Sequence, residues 1–302
     1  MAGILGRVGR IGRVGLVGRR GGLDDTARTG LRAVLADPIF ELLPLKSTAE
    51  QVRYLPVGAR VSVTASPAKG IDATLDWAIR LQGDGFRAIP HLSAHQIRDR
   101  AALTGLLDRA REGQLTEAFV VGGDTHDPGE YRDGLSLIRA MVELGHPFST
   151  LGCPAYPQGH PDIPDSSLAA ALRDKEPYVA SVTTQMDFDT AAIAAWVRAR
   201  RAEGFVPEVI IGVPGVADPQ KLLSIAARIG VRDAKQFLVK NLRFVTGLAR
   251  SGGFYKPTGF VEDLSSLISD PAARVVGLHL YTFNAVEATE AWRRSMLERL
   301  EH

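Results

Sequence analysis

The chain has 302 residues, of which 45% are apolar and 23% charged, and its 36 Lys and Arg against 34 Asp and Glu leave a formal charge of +2. This is the composition of a folded globular protein, and so small a net charge excludes an overall electrostatic footprint for nucleic acid. A single cysteine, Cys153, excludes an internal disulfide framework and a multi-cysteine zinc site. No apolar run reaches the roughly 18 residues of a membrane span, and a chain that needs no disulfide is expected in the reducing cytoplasm.

The first segment is unusual. Glycine recurs at every third position from Gly6 to Gly21, interleaved with Arg7, Arg10, Arg13, Arg19 and Arg20 and with no acid before Asp24. Collagen is excluded by the lack of proline and the short length. Arg19-Arg20 resembles a twin-arginine start, but Asp24 and Asp25 stand where an apolar region should follow. Residues 1–30 therefore read as a flexible basic arm, and residues 31–302 as one domain.

From there a rhythm sets in, of short apolar runs followed by amphipathic stretches of helical length. The strand-like runs are Ile39–Leu43, Arg60–Ala65, Phe86–Pro90, Ala118–Val121, Phe148–Gly152, Val179–Thr184, Glu208–Val213 and Val275–Tyr281. Helical patterns occupy Ile71–Gly83, Ala94–Gly113, Glu130–Gly145, Ser166–Lys175, Thr190–Gly204, Pro219–Ile229, Ala234–Ser251 and Ala285–Leu300. Asp189 and Asp218-Pro219 supply capping chemistry at two of the helix starts. Strands alternating with helices imply parallel pairing through crossover helices. Eight units over about 270 residues predict an α/β fold, a (β/α)₈ TIM barrel in a single domain. A doubly wound sheet is the competitor, but no strand is followed by a complete glycine-rich dinucleotide fingerprint.

A barrel builds its site at the C-terminal ends of its strands. The residues there are Glu41, Thr64, His91, Asp124, Cys153 through Tyr156, Gln185, Gly212 through Gly215, and Tyr281 with Asn284. Glu41 is the most informative, since a carboxylate among Phe40, Leu42 and Leu43 is costly unless solvated or paired. Its desolvation should raise its pKa, which suits a general acid, though a structural ion pair would leave the same pattern. Asp124 could equally cap the turn after Gly122-Gly123, and Gln185 could only satisfy backbone at a strand end. His91 and His95 stand four apart, a metal-ligand spacing if helical; with no third ligand in pattern, no metal is expected. Cys153 reads as a packing residue, and His126, His146 and His279 as polar residues without pattern.

In order along the chain, several runs resemble the methylenetetrahydrofolate reductase family, bacterial single-domain type. They are Phe40-Glu41-Leu42-Leu43-Pro44, Val61-Ser62-Val63-Thr64, Pro90-His91-Leu92, Gly123-Asp124, Tyr156-Pro157 with His160-Pro161, Thr184-Gln185-Met186-Asp187-Phe188-Asp189, and Leu280-Tyr281-Thr282-Phe283-Asn284 with Glu287. The resemblance implies a (β/α)₈ barrel that reduces 5,10-methylenetetrahydrofolate to 5-methyltetrahydrofolate. Carried over by position, Glu41 would be the acid that opens the imidazolidine ring, and Asp124 would stabilise the cationic 5-iminium intermediate. Gln185 and Tyr281 would bind the folate. Thr64, His91, Gly122, Tyr131, Tyr156 and His160 would line the cofactor pocket.

The sequence departs from the family where FAD is held. An arginine of the family's flavin clamp is Gly122 here, and Glu176-Pro177-Tyr178 replaces an Ala-Gly-Ala turn. A pyrophosphate thereby loses charge-assisted contacts worth roughly 1.5–3 kcal/mol each. The expectation is that FAD is weakly held or absent and that NADH or NADPH delivers hydride directly to the folate. Three alternatives stand beside it: an FAD-dependent reductase of the same reaction, a proline-dehydrogenase-like flavin barrel, and a catalytically silent folate-binding protein. Oligomeric state is not legible.

Overall fold

A computed structural model describes residues 22–125, 128–218 and 253–301. Eight parallel strands follow one another around a closed barrel, β1 Ile39–Leu42, β2 Arg60–Val63, β3 Arg87–Ser93, β4 Glu117–Val121, β5 Thr150–Ala155, β6 Ser181–Thr184, β7 Glu208–Pro214 and β8 Val275–Tyr281. The ring closes where β8 pairs with β1, with Tyr281 opposite Glu41 and His279 opposite Ile39. The predicted (β/α)₈ fold is therefore present.

Alternation along the strands divides the interior in two. Phe40, Leu42, Val61, Val63, Val120, Leu151, Val182 and Val209 point outward into the main apolar core beneath the helices. Inside the barrel the apolar content is small: Ile39, Ile89 and Ile210, packed with Phe119. The remaining inward positions are polar, among them Ser62, His91, Thr183 and His279. Glu41 falls on this inward face, so the apolar residues flanking it belong to the other layer. Period-two geometry, rather than local polarity, explains a carboxylate inside so apolar a run.

Helices flank the barrel at α1 Asp25–Ala36, α2 Thr48–Val52, α3 Gly70–Gly83, α4 Arg100–Glu112, α5 Gly134–Leu144, α6 Asp165–Lys175, α7 Thr190–Ala202, α8 Thr258–Asp263, α9 Ser265–Ile268 and α10 Val286–Glu301. Aspartate caps set several starts: Asp24, Asp99 and Asp189 each accept a hydrogen bond from a backbone N–H three residues on, at 2.7, 2.8 and 3.0 Å. Asp133 and Ser136 form a reciprocal capping box.

Four boundaries differ from the sequence expectation. The packed part of the chain begins inside the segment assigned to the arm, because α1 starts at Asp25 and buries Ala27, Leu31, Val34 and Leu35. The helical pattern over Ala94–Gly113 is interrupted: a 3₁₀ turn spans Ala94–Gln96 and the helix restarts after Asp99. Strand β3 continues through Pro90 to Ser93, and β5 through Pro154 to Ala155. His91 and Cys153 are therefore strand residues, not loop residues. The arm to residue 21, His126 and the helical patterns Pro219–Ile229 and Ala234–Ser251 lie outside the described residues. No helix among the described residues is long and apolar enough to cross a membrane.

Candidate active site

Glu41 and His279 form a buried pair on adjacent strands, Glu41 Oε2 lying 3.1 Å from His279 Nε2 with side chains 11% and 3% exposed. Ser62 Oγ approaches the same nitrogen at 3.4 Å. His91 completes the group from β3, its ring 6.2 Å from that of His279 and 4.8 Å from that of Phe119. Burial pushes the His91 imidazole down to about 4, against a smaller upward pull from Glu41, so His91 is neutral near pH 7. Its Nε2 is buried without a hydrogen-bond partner.

The strand carrying Glu41 is held from β8. The Thr282 hydroxyl donates to the Glu41 carbonyl at 2.5 Å. The Asn284 side chain accepts from the Leu43 N–H at 2.9 Å and donates to the Leu43 carbonyl at 3.1 Å. This clamp requires the left-handed backbone seen at Phe283 and Asn284, φ 50° and 59°, an uncommon conformation for phenylalanine. Tyr281 donates from its hydroxyl to the Thr184 carbonyl at 3.1 Å. Burial, with Glu41 adding to it, holds the Tyr281 phenol well above its ordinary range, so it remains a donor. Gly212 makes room for this contact: a Cβ there would lie 2.2 Å from the Thr184 carbonyl oxygen and 2.7 Å from the Tyr281 ring.

Beside this floor a rim pocket of about 570 Å³ opens between the ends of β5 and β6, lined among others by Tyr156, His160, Gln185, Met186 and Asp187, a size that admits a bicyclic ligand. The Tyr156 and His160 rings meet edge-on at 5.3 Å. Gln185 folds back so that its side-chain oxygen accepts from the Met186 N–H at 2.8 Å. Burial raises the Asp187 carboxyl to about 6, outweighing N–H donors from Phe188 and Asp189.

The remaining candidates are distributed around this centre. Asp124 is exposed on the loop after β4, where Gly123, at φ +100°, packs so closely that a Cβ would lie 2.4 Å from Ser93 Oγ. Thr64 donates through both its N–H and its hydroxyl to the Leu42 carbonyl, at 3.0 and 3.1 Å. Tyr131 is buried in the main apolar core. Cys153 is buried as a free thiol that burial pushes up to about 11, a state unsuited to nucleophilic attack. His95 does not share a helical face with His91: its Nε2 meets the Arg132 carbonyl at 2.9 Å. One nitrogen of His91, one of His279 and a Glu41 oxygen lie within 4.8 Å of one another, while the direct 3.1 Å contact between Glu41 and His279 is a hydrogen-bond distance.

No protein-family profile matches the chain. Among solved structures it is similar to an uncharacterized protein from Clostridium thermocellum that binds two copies of 5-methyl-5,6,7,8-tetrahydrofolic acid. The TM-score is 0.61 at 12% identity, over 87% of this chain and 95% of that one. Oxaloacetate acetylhydrolase in complex with oxalate follows at TM-score 0.47 and 11% identity, over 92% and 87%. The spore cortex-lytic enzyme SleL of Bacillus megaterium gives 0.45 at 9%, over 87% and 73%. At these identities the likeness is one of fold.

Charge is unevenly spread around these strand ends: the pocket adjoining the rim pocket at Tyr156 through Gly159 is lined by Lys175 and Arg200. The rim pocket is lined by Asp162, Asp165 and Asp187, with no Lys or Arg among its described residues. A Cβ at Gly122 would meet only the Gly134 nitrogen, at 3.9 Å, so packing does not demand glycine there, and the Lys175 side chain lies beside Gly134, its Cε 3.6 Å from where a Gly134 Cβ would stand. Glu176 turns its carboxylate to the Val206 N–H at 2.8 Å.

His279, Ser62 and Asp187 join the site although none of them stands out in the sequence as a candidate. The signal for His279 is spacing. In Val275–Tyr281 it stands two before Tyr281, so both face inward, and closure of an eight-stranded barrel brings that face against Glu41.

Proposed function

We propose that this chain reduces 5,10-methylenetetrahydrofolate to 5-methyltetrahydrofolate with hydride taken directly from NADH or NADPH. The observation that carries the reading is the buried Glu41–His279 pair at the end of β1, a carboxyl placed where the resemblance requires a ring-opening acid. The rim pocket bearing Gln185 and Tyr156 supports it, as does a fold neighbour that binds a reduced folate.

In this reading Glu41 gives a proton to the folate ring nitrogen that leaves, and the ring opens to the 5-iminium cation. Asp124, on the same C-terminal rim, offsets the developing positive charge. The Tyr281 phenol stays protonated and fixes the wall between β6 and β8. The nicotinamide supplies the hydride that reduces the iminium carbon. Gly122, where the family's flavin clamp has an arginine, weighs less against a transient co-substrate, which needs only a KM of order 1 μM–1 mM.

The test is a visible spectrum joined to an NADH- and NADPH-oxidation assay on the purified full chain. The expected result is no flavin absorption and nicotinamide oxidation that depends on methylenetetrahydrofolate. A stoichiometric flavin band would overturn direct transfer. Glu41→Gln should lower kcat by about 10²-fold or more while folate affinity changes little. A second reading is a folate-binding protein without catalysis, supported by a fold neighbour that binds two copies of 5-methyl-5,6,7,8-tetrahydrofolic acid. Folate binding without turnover in the unaltered chain would decide for it.

A further inference from the structure

The reduction consumes one proton per turnover. Methylenetetrahydrofolate, a reduced nicotinamide and one H⁺ become methyltetrahydrofolate and oxidised nicotinamide, so Glu41 ends each cycle as a carboxylate and must be reloaded. Folate and nicotinamide would cover Glu41 from the C-terminal mouth. Below it the barrel interior is mixed, a strip of polar side chains running beside the apolar Ile39, Ile89, Phe119 and Ile210. A cavity of about 20 Å³ is lined on its polar side by Ser62, His91, Ser181, Thr183 and His279, and further down by Thr150 and the Arg60–Glu117 ion pair, with the isoleucines and Phe119 on the other. One ordered water needs roughly 10–15 Å³ and two to four polar partners. The buried His91 Nε2, which lacks any partner, is one waiting for it. Arg60 and Glu117 meet at 2.7 Å with side chains each 20% exposed, so the lower end of this column reaches solvent at the opposite face.

We propose that the polar column inside the barrel is a proton-reloading path: a water held at His91 passes protons from the Arg60–Glu117 end to His279, which returns one to Glu41 after each hydride transfer. This rests on Glu41 being the acid of the proposed reduction. Proton conservation is simple: Glu41 loses H⁺ to the folate nitrogen and regains it from His279 Nε2–H. His279 regains it from the cavity water, and that water from solvent. His279 and His91 are positioning and relay residues, since neither is placed against the folate. The ionisable groups lining the column or facing the pair are Glu41 from β1, Arg60 from β2, His91 from β3, Glu117 from β4, and His279 and Tyr281 from β8. Strands β5 and β6 add only the neutral Thr150, Ser181 and Thr183. His91 stays neutral beside its partners because burial holds its imidazole down, so it orders the water without trapping the proton.

Reloading follows chemistry, which separates a relay from a structural role. In rapid mixing with enzyme in excess, Thr183→Val, which keeps the side-chain volume, should carry out its first hydride transfer at the unaltered rate. Its steady-state kcat should fall about tenfold, so that a burst appears, the solvent deuterium effect on kcat grows, and small permeant acids such as imidazolium restore turnover. Ser181→Ala, which removes a second hydroxyl from the same cavity, should behave likewise more weakly and serves if Thr183→Val does not fold. Equal slowing of first and later turnovers, or no slowing, would overturn the relay. So would a stoichiometric metal ion bound at His91 and His279, because it would occupy the nitrogens the relay uses. If the unaltered chain binds folate without oxidising NADH or NADPH, the reductase reading itself fails, an outcome distinct from failure of the relay.

Discussion

Glu41 is flanked in sequence by apolar residues and in space by a histidine, and the difference between these two neighbourhoods is the chemistry of the site. Sequence supplies the penalty of burying a carboxylate; only β8 supplies the partner, His279 at 3.1 Å. His91 shows the same division. Its number in the chain suggested a loop, yet its burial makes it a stability determinant with a definite pH sign. The folded imidazole titrates at about 4 and an unfolded one near 6.5, so between these values the unfolded chain binds the extra proton. The His91 contribution is then fully favourable above about pH 6.5 and is lost as pH falls toward 4. Urea unfolding at pH 7 and pH 5 should show the unaltered protein losing about 2 kcal/mol more than His91→Phe over that interval. Equal losses would contradict it.

At the scale of elements, the packing of β7 against β8 decides how closely Tyr281 approaches Thr184. Gly212 permits it, and an added methyl would strike a carbonyl oxygen that cannot rotate away. Gly212→Ala should therefore cost about 1–3 kcal/mol by overpacking and raise the folate KM by displacing Tyr281. Denaturant midpoint and KM measured together check it, and a KM unchanged in a destabilised protein would separate Tyr281 from folate binding. The strands themselves were legible because β-branched apolar runs recur with helical stretches between them. Their ends were less so. Strands β3 and β5 run three residues past the expected stops, through Pro90 and Pro154, and this extension carries His91 into the interior. The helical pattern over Ala94–Gly113 fails at Asp99, whose carboxylate caps the next helix instead of continuing the first.

Across the whole molecule, the first and last described helices are fastened together. Arg293 on α10 holds Glu290 through two hydrogen bonds of 2.6 and 2.9 Å and donates a third to the Leu35 carbonyl at the end of α1, at 2.8 Å. Both charged side chains are under 10% exposed. Removing one partner leaves a buried, unpaired charge, so Glu290→Ala should destabilise the fold by about 3–5 kcal/mol. Thermal unfolding would reveal a change of that size, and a value near zero would mean that water reaches Arg293. Residues 25–30, part of the arm as read from glycine and arginine content, belong to this closure. Composition described the segment correctly as basic and glycine-rich up to Gly22, but the capping role of Asp24 is a matter of backbone geometry that composition does not express.

The sequence by itself determined the (β/α)₈ architecture, because period-two and helical patterning repeat eight times and each pattern follows from which faces must leave water. It also placed Glu41, Asp124, Gln185 and Tyr281 at strand ends, since those ends follow directly from the strands. The tertiary structure decided what those residues touch. Barrel closure sets His279 against Glu41, although 238 positions separate them, and inward alternation leaves His91, Ser62 and Thr183 around a small void that they share with Ile39, Ile89 and Ile210. Patterning along a chain encodes which face a residue takes; only the closed ring settles which residues share that face at the same height.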